Sequence, residues 1–260
     1  MNDAEPLVQY AVWAGRHAPT LFFAMLALLL AATFVVGRVL QRIGATRAPL
    51  GLRVAGGAAA LVLGVAVFIA LAVQLGTGGL LDLTDQALID TLRVSVPRPA
   101  LQVFGALTHL GDPNTLIGLG IVVAVALVAA GRRGLAAGWV VAMLGNGMLN
   151  PTLKQVFGRH RPLYPDGGLL ETGFSFPSGH SSGAVVAYGM LAYLVLRLLS
   201  PRWHLPAVAT AVALAFTVGA SRVFLRVHVA SDVFAGFASG AAWLVLCVTS
   251  IECARRLGRR

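Results

Sequence analysis

This chain has twenty basic residues but only one lysine, placed at position 154, seven residues ahead of Arg161 and Pro162. A compact ammonium beside a planar guanidinium makes two different kinds of donor, a pairing suited to phosphate oxygens. Arg159 and His160 lie in the same stretch. They read first as solvated interface charges and otherwise as supporting donors. A second stretch, 175–183, holds Pro177, Ser178, Gly179 and His180. Ser178 and Gly179 fall at a helix N-cap, where amide groups and the helix dipole attract an anion. His180, one or two residues further in, is placed to exchange a proton with that anion. A third stretch, 221–232, holds Ser221, Arg222, Arg226, His228 and Asp232. If the chain is helical from 228, His228 and Asp232 stand at i and i+4 on one face. The carboxylate then accepts Nδ1–H, which leaves Nε2 to attack and stabilises the cation that forms.

Each stretch alone has a plainer reading: interfacial snorkelling, helix capping, or a structural His–Asp pair. Together they supply what phosphoryl transfer requires: cationic and N–H donors around the phosphate oxygens, a nucleophile in line, and an acid on the leaving oxygen. Lys154, Arg161, Arg222 and the amides of 178–180 are the donors, His228 is the nucleophile and His180 the acid. No carboxylate cluster, His/Cys set or Asp-rich loop offers a metal site, so no metal or other cofactor is expected.

Membrane helices must position these residues. The 260-residue chain is 57% hydrophobic and 12% charged, a balance that fits a bilayer rather than an ordinary soluble surface. Apolar runs predict seven crossings, at 19–40, 54–76, 114–131, 134–157, 179–199, 206–222 and 231–251, giving an all-α polytopic bundle. The first run lacks a basic leader and a small-residue cleavage site, so it is expected to stay as an anchor. The formal charge of +10 is concentrated in arginines at the ends of the runs. Arg42, Arg47 and Arg53, then Arg132 and Arg133, then Arg202, then Arg255, Arg256, Arg259 and Arg260 all fall on one side, cytoplasmic by the positive-inside rule. This topology signal accounts for the charge, and no nucleic-acid partner is expected. Nine of the ten acidic residues fall on the opposite side, Glu252 excepted. The three chemical stretches fall there too, at the outer ends of helices. Residues 79–94 put Asp82, Asp85, Gln86, Asp90 and Arg93 on one stripe opposite leucines and Ile89. They predict either a helix lying in the outer interface or a loop helix packed on its neighbours. Asn146 and Asn150 suggest interhelical hydrogen bonds, Pro151 a kink, and Cys247 and Cys253 packing. Asp166 and Glu171 read as facing water, and His17 and His109 as incidental.

At these residues the chain resembles the type 2 phosphatidic acid phosphatases (PAP2), whose superfamily also contains vanadium haloperoxidases and glucose 6-phosphatase. The resemblance rests on three spaced signatures in order: Lys154 with Arg161 and Pro162, Pro177 to His180, and Ser221 and Arg222 with His228 and Asp232. It implies that His228 forms a phosphohistidine, that Asp232 orients it, and that His180 protonates the leaving alkoxide. Lys154, Arg161, Ser178, Gly179 and Arg222 become the phosphate pocket. It also implies a six-helix core over 54–252, preceded by an extra helix and basic loop in 1–53 and followed by a basic tail, 253–260. The expected enzyme is a phosphatase of a membrane lipid phosphate or diphosphate, of the phosphatidic acid, phosphatidylglycerol phosphate or undecaprenyl diphosphate class. Its expected place is the bacterial inner membrane, with the site facing the periplasm or exterior. A phosphotransferase passing the group from His228 to a second lipid is the close alternative. An anion transporter ranks last, because a permeation path would place some charges near the bilayer midplane.

Overall fold

The computed structural model describes residues 4–42, 49–161 and 173–257. Pro162, Asp166, Glu171, Arg47, Arg259 and Arg260 lie outside the described residues. Among the described residues, ten α-helices run in the order α1 (Ala4–Arg16), α2 (Ala18–Arg42), α3 (Leu50–Ala72), α4 (Leu80–Ser95), α5 (Arg98–Thr108), α6 (Pro113–Ala129), α7 (Arg133–Phe157), α8 (Gly179–Leu198), α9 (His204–Phe224) and α10 (Ala230–Leu257). Short 3-10 turns occur at His109–Gly111 and Pro201–Trp203. Among the described residues there is no strand.

The core is built by α8, α9 and α10. α10 packs on α3, α7 and α8, and α9 packs on α8, α2 and α5. Small residues let α8 and α10 approach closely. A Cβ on Gly236 would lie 2.5 Å from the Ser178 carbonyl oxygen, and one on Gly240 would lie 2.8 Å from that of Ser182. The two glycines are four apart, the small-xxx-small spacing that lets membrane helices touch backbone to backbone. Around this core the outer helices turn large apolar side chains outward, among them Leu28 and Phe34 on α2, Val62 and Leu63 on α3, and Ile121 and Val125 on α6. In water such a belt would be unfavourable; in hydrocarbon it is the solvent-facing surface. The protein is an integral membrane protein.

The count of seven crossings is not confirmed. Among the described residues, five spans are long and apolar enough: α2, Val54–Ala72 of α3, α8, Pro201–Phe224 and α10. A sixth arises if Arg98–Gly111 and Pro113–Ala129, bent by 43° at their junction, form one span. α6 alone has 17 residues, about 26 Å at 1.5 Å per residue. α7 has the length, but Asn146, Asn150, Pro151 and Lys154 dilute its apolar character in the half that approaches the chemical residues. The helix expected at 79–94 is α4, and its buried residues are Asp85, Ile89 and Leu92. The polar stripe therefore does not face outward as a whole, because Asp85 points into the protein.

Candidate active site

The C-terminal end of α9 and the N-terminal end of α10 are joined by residues 225–229, where the amides of Val227 and His228 both donate to the carbonyl of Arg222, at 3.1 and 3.3 Å. Arg226 takes φ 59° in this turn, a left-handed conformation uncommon for a residue with a Cβ. The turn delivers His228 to Asp232: Nδ1 and Oδ2 are 3.1 Å apart, with both side chains buried. α10 starts at Ala230, two residues later than the spacing argument assumed, and the pair still meets. Because a carboxylate can only accept, Nδ1 carries the proton and Nε2 keeps its lone pair. His228 lies outside the membrane-spanning segments. Burial pushes its imidazole down to about 4; Asp232 opposes the shift, and the charges of Arg161 and Lys154 add to it.

Asp232 is held on its other oxygen. Arg159 Nη1 donates to Asp232 Oδ1 at 2.9 Å and to Ser231 Oγ at 2.8 Å. Its Nη2 donates to Asp82 Oδ1 at 3.1 Å and Asp85 Oδ2 at 3.4 Å. Asp85 in turn accepts the Ser231 amide at 3.1 Å and the Ser231 hydroxyl. Desolvation by burial raises the Asp85 carboxyl above its ordinary value, outweighing the Ser231 hydrogen bonds and the Arg159 charge that hold it down. Burial works against the Arg159 charge, yet Asp232, Asp85 and Asp82 together raise its proton affinity above the ordinary arginine value. The reading of Arg159 as a solvated charge is therefore corrected: it is the guanidinium that ties α4 to Asp232. Its one sequence signal was the energetic demand that buried Asp232 have a partner. Asp85 had no such signal.

His180 occupies the second position of α8, whose N-cap is Ser178. Ser178 Oγ accepts from the Ser181 amide at 3.4 Å and the Ser181 hydroxyl at 3.0 Å. The Ser178 amide donates to the Asp232 carbonyl at 2.9 Å, so the start of α8 is fastened directly to the start of α10. Asn150 Nδ2 reaches the Pro177 carbonyl at 3.4 Å, and a Cβ on Gly179 would lie 2.9 Å from Asn150 Oδ1. His180 Nε2 meets Asp112 Oδ1 at 2.8 Å, and Asp112 Oδ2 meets His109 Nδ1 at 2.6 Å. His109, read as incidental, is the outer member of this chain of three. Burial raises the Asp112 carboxyl, but hydrogen bonds from His109 and His180 outweigh it and leave the group below its ordinary value.

Three cations complete the cluster. α7 ends at Gly158, whose φ of 57° is the left-handed cap that glycine adopts without a Cβ penalty. The chain then turns so that Lys154, on the last helical turn, and Arg161, beyond it, approach the histidines. Lys154 Nζ donates to the Phe174 carbonyl at 2.8 Å, and Arg161 Nη1 to the Val227 carbonyl at 2.6 Å. Buried Arg222 donates from Nη1 to Thr108 Oγ1 at 2.8 Å. The structure thus gathers Lys154, Arg161, Ser178, Gly179, His180, Arg222, His228 and Asp232 at one end of the bundle. Arg132, Arg133, Arg202, Arg255 and Arg256 sit at the other end, where Glu252 accepts from Tyr193 at 2.6 Å and Arg197 at 2.8 Å. An apolar cavity of about 480 Å³ between α2, α8, α9 and α10 contains none of the cluster's side chains.

The chain has relatives among known proteins. The family model described as PAP2 superfamily matches residues 135–256. Phosphatidylglycerophosphatase B of Bacillus subtilis (strain 168) is 32% identical over 60% of this chain and 77% of its own length. A lipid A 1-phosphatase of Rhizobium johnstonii is 33% identical over 61% of this chain and 70% of its own length. A crystal structure of a transmembrane PAP2-type phosphatidylglycerolphosphate phosphatase from Bacillus subtilis superposes with a TM-score of 0.68 at 28% identity, covering 74% of this chain and 96% of that one. By fold, by ordered signatures and by these relatives, the chain belongs to the PAP2 superfamily.

Proposed function

We propose that this membrane phosphatase removes phosphate from a lipid phosphate or diphosphate in two steps, without a metal ion, through a phosphohistidine at His228. One observation carries the reading: a buried imidazole has its Nδ1 committed to a carboxylate, among three cations and a second histidine. Asp232 keeps Nε2 free as the nucleophile. Lys154, Arg161 and Arg222 neutralise the charge on the non-bridging oxygens, the work a divalent ion performs at other phosphoryl-transfer sites. With the Ser178 amide donating to Asp232 and the Ser181 amide to Ser178, a phosphate at this helix end meets the amides of Gly179 and His180. In the first step the P–O ester bond breaks as the Nε2–P bond forms, and His180 gives its proton to the leaving oxygen. In the second, water attacks phosphorus, the N–P electron pair returns to His228, and His180 takes the proton from the water.

The names of the relatives point to a glycerophospholipid monoester or a lipid A-type 1-phosphate as the substrate class. A tail in the bilayer and a phosphate at the bundle end satisfy both. The arginine-rich opposite end favours a cytoplasmic assignment for that face and a periplasmic or exterior one for the site. The test is phosphate release by purified protein from phosphatidic acid, phosphatidylglycerol phosphate, lipid A 1-phosphate and undecaprenyl diphosphate, with and without EDTA. Release should persist in EDTA and fall by roughly 10³-fold or more in His228→Ala. Label from a phosphorus-labelled substrate should be trapped on the wild-type protein and absent from the variant. Activity that requires added Mg²⁺, or that survives loss of His228, overturns the mechanism.

A further inference from the structure

We infer that Asp112 is a positioning residue for His180, forming with it a second His–Asp dyad that makes His180 an acid, as Asp232 makes His228 a nucleophile. The inference rests on the two-step reading above and adds a residue outside the three signatures. Asp112 lies at the bend between the His109–Gly111 turn and α6, 68 residues from His180 in sequence. Its carboxylate is divided between two imidazoles, with Oδ1 at 2.8 Å from His180 Nε2 and Oδ2 at 2.6 Å from His109 Nδ1.

The orientation has a chemical consequence. A carboxylate accepts only, so Nε2 of His180 carries a proton directed at Asp112, and the second, transferable proton must reside on Nδ1. Asp112 is the anion in hydrogen-bond contact with this ring, and an opposite charge at 2.8 Å favours the charged form of an acid that must carry two protons. The dyad also fixes the ring. Gly111, next to Asp112, is so close that a Cβ there would lie 3.3 Å from His180 Cδ2. His109 is largely exposed, its side chain 71% accessible against 14% for His180, so it steadies the outer oxygen of the carboxylate and lies away from the buried ring. In the first step the Nδ1–H bond of His180 breaks as the leaving alkoxide gains its proton, while Nε2–H stays on Asp112. The reverse transfer from water restores the imidazolium, so no proton need enter or leave through Asp112.

An acid matters only when the leaving group needs one, and this separates a role through His180 from a structural one. Asp112→Asn keeps the size and the acceptor oxygen but removes the charge. Against a lipid phosphate, whose alkoxide is a poor leaving group, its kcat should fall by on the order of 10²-fold, the range of a general acid's contribution. Against p-nitrophenyl phosphate, whose phenolate leaves unaided, the loss should be within about threefold, with KM little changed. In a His180→Ala background the same substitution should cost nothing further, because residues that act as one unit are not additive. Asp112→Glu, which retains the charge on a longer arm, should recover part of the lipid activity. Equal losses on both substrates, full additivity with His180→Ala, or a gain of activity in Asp112→Asn would overturn the inference. Those outcomes differ from failure of the underlying mechanism, which appears as activity in His228→Ala.

Discussion

Arg159→Ala is the substitution on which the described geometry makes its strongest demand. The guanidinium is 16% exposed and contacts Asp82, Asp85 and Asp232, which are 23%, 5% and 0% exposed. Removing it leaves two buried carboxylates facing each other across the Ser231 backbone without their shared cation. Losing one partner of a buried pair costs about 3–5 kcal/mol, because the remaining charge stays desolvated. Here the raised Asp85 carboxyl can take up a proton, which places the cost toward the lower end of that range. For a chain of this size, about 3 kcal/mol corresponds to roughly a 10 °C fall in thermal midpoint. The assay is thermal unfolding in detergent or nanodiscs, run on Arg159→Ala, Asp85→Asn and the double variant. Asp85→Asn in the Arg159→Ala background should restore part of the loss, because it removes one of the two uncompensated charges. The coupling should therefore be at least about 1 kcal/mol. Activity should fall as well, by up to about 10²-fold in kcat, as Asp232 loses one of its two holders and the dyad loosens. If Arg159→Ala melts with the wild type, or if the two substitutions are additive, the clamp does not hold Asp232 and the argument fails.

The remaining predictions concern the nucleophile's proton and the helix contact that positions the cap. Burial holds the His228 imidazole at about 4, so its neutral, attacking form is present throughout the range in which an ordinary histidine titrates. The acidic limb of kcat/KM against pH should accordingly be centred near 4, with activity lost as pH falls through that value, and a limb at about 6.5 would contradict the buried dyad. At Gly236 a methyl group would meet the Ser178 carbonyl at 2.5 Å and Ser181 Cβ at 2.8 Å. Backbone cannot give way as a flexible side chain can. Gly236→Ala should cost about 1–3 kcal/mol and displace the α8 cap, whereas Gly118→Ala, with nothing within 4 Å, should leave the midpoint unchanged or raised. Paired melts and assays of the two variants decide it, and an unperturbed Gly236→Ala would contradict the close α8–α10 contact.

How much could be read from the sequence depended on distance along the chain. His228 and Asp232 are four residues apart, and Ser178 to His180 are consecutive, so local geometry was enough to group them. Asp85 reaches Ser231 across 146 positions and Asp112 reaches His180 across 68; no periodicity or spacing links such residues. The stripe on α4 illustrates the limit. Asp82, Asp85 and Asp90 share one polar face by pattern, and a pattern alone sends all of it to water. Arg159 makes it favourable to bury Asp85 instead, and Arg159 had itself been read as solvated. The number of crossings is less legible for a different reason. A hydropathy window treats α7 as a run of residues, whereas Asn146, Asn150, Pro151 and Lys154 lower its apolar character, and two of them, Asn150 and Lys154, reach the loop that carries the site.

The charges at this end of the bundle divide into two sets with opposite tasks, and the division falls between neighbouring residues. Arg159 is surrounded by carboxylates that satisfy it within the protein, so its charge is neutralised before any substrate arrives. Two residues on, Arg161 shares its surroundings with Lys154 and Arg222, and the positive charges of Arg161 and Arg222 act against that of Lys154. A bound phosphate dianion would relieve that repulsion, so the clustering of like charges favours an anion as ligand. Keeping the sets apart is what lets one short segment do both. Asp232 lies close enough to attract Lys154 and Arg161, but one of its oxygens is engaged by Arg159 and the other by His228. With Arg159 and His228 dividing the Asp232 carboxylate between them, and Arg159 and Ser231 holding Asp85, both buried carboxylates at this helix end are hydrogen-bonded. Their placement gives the site a sign.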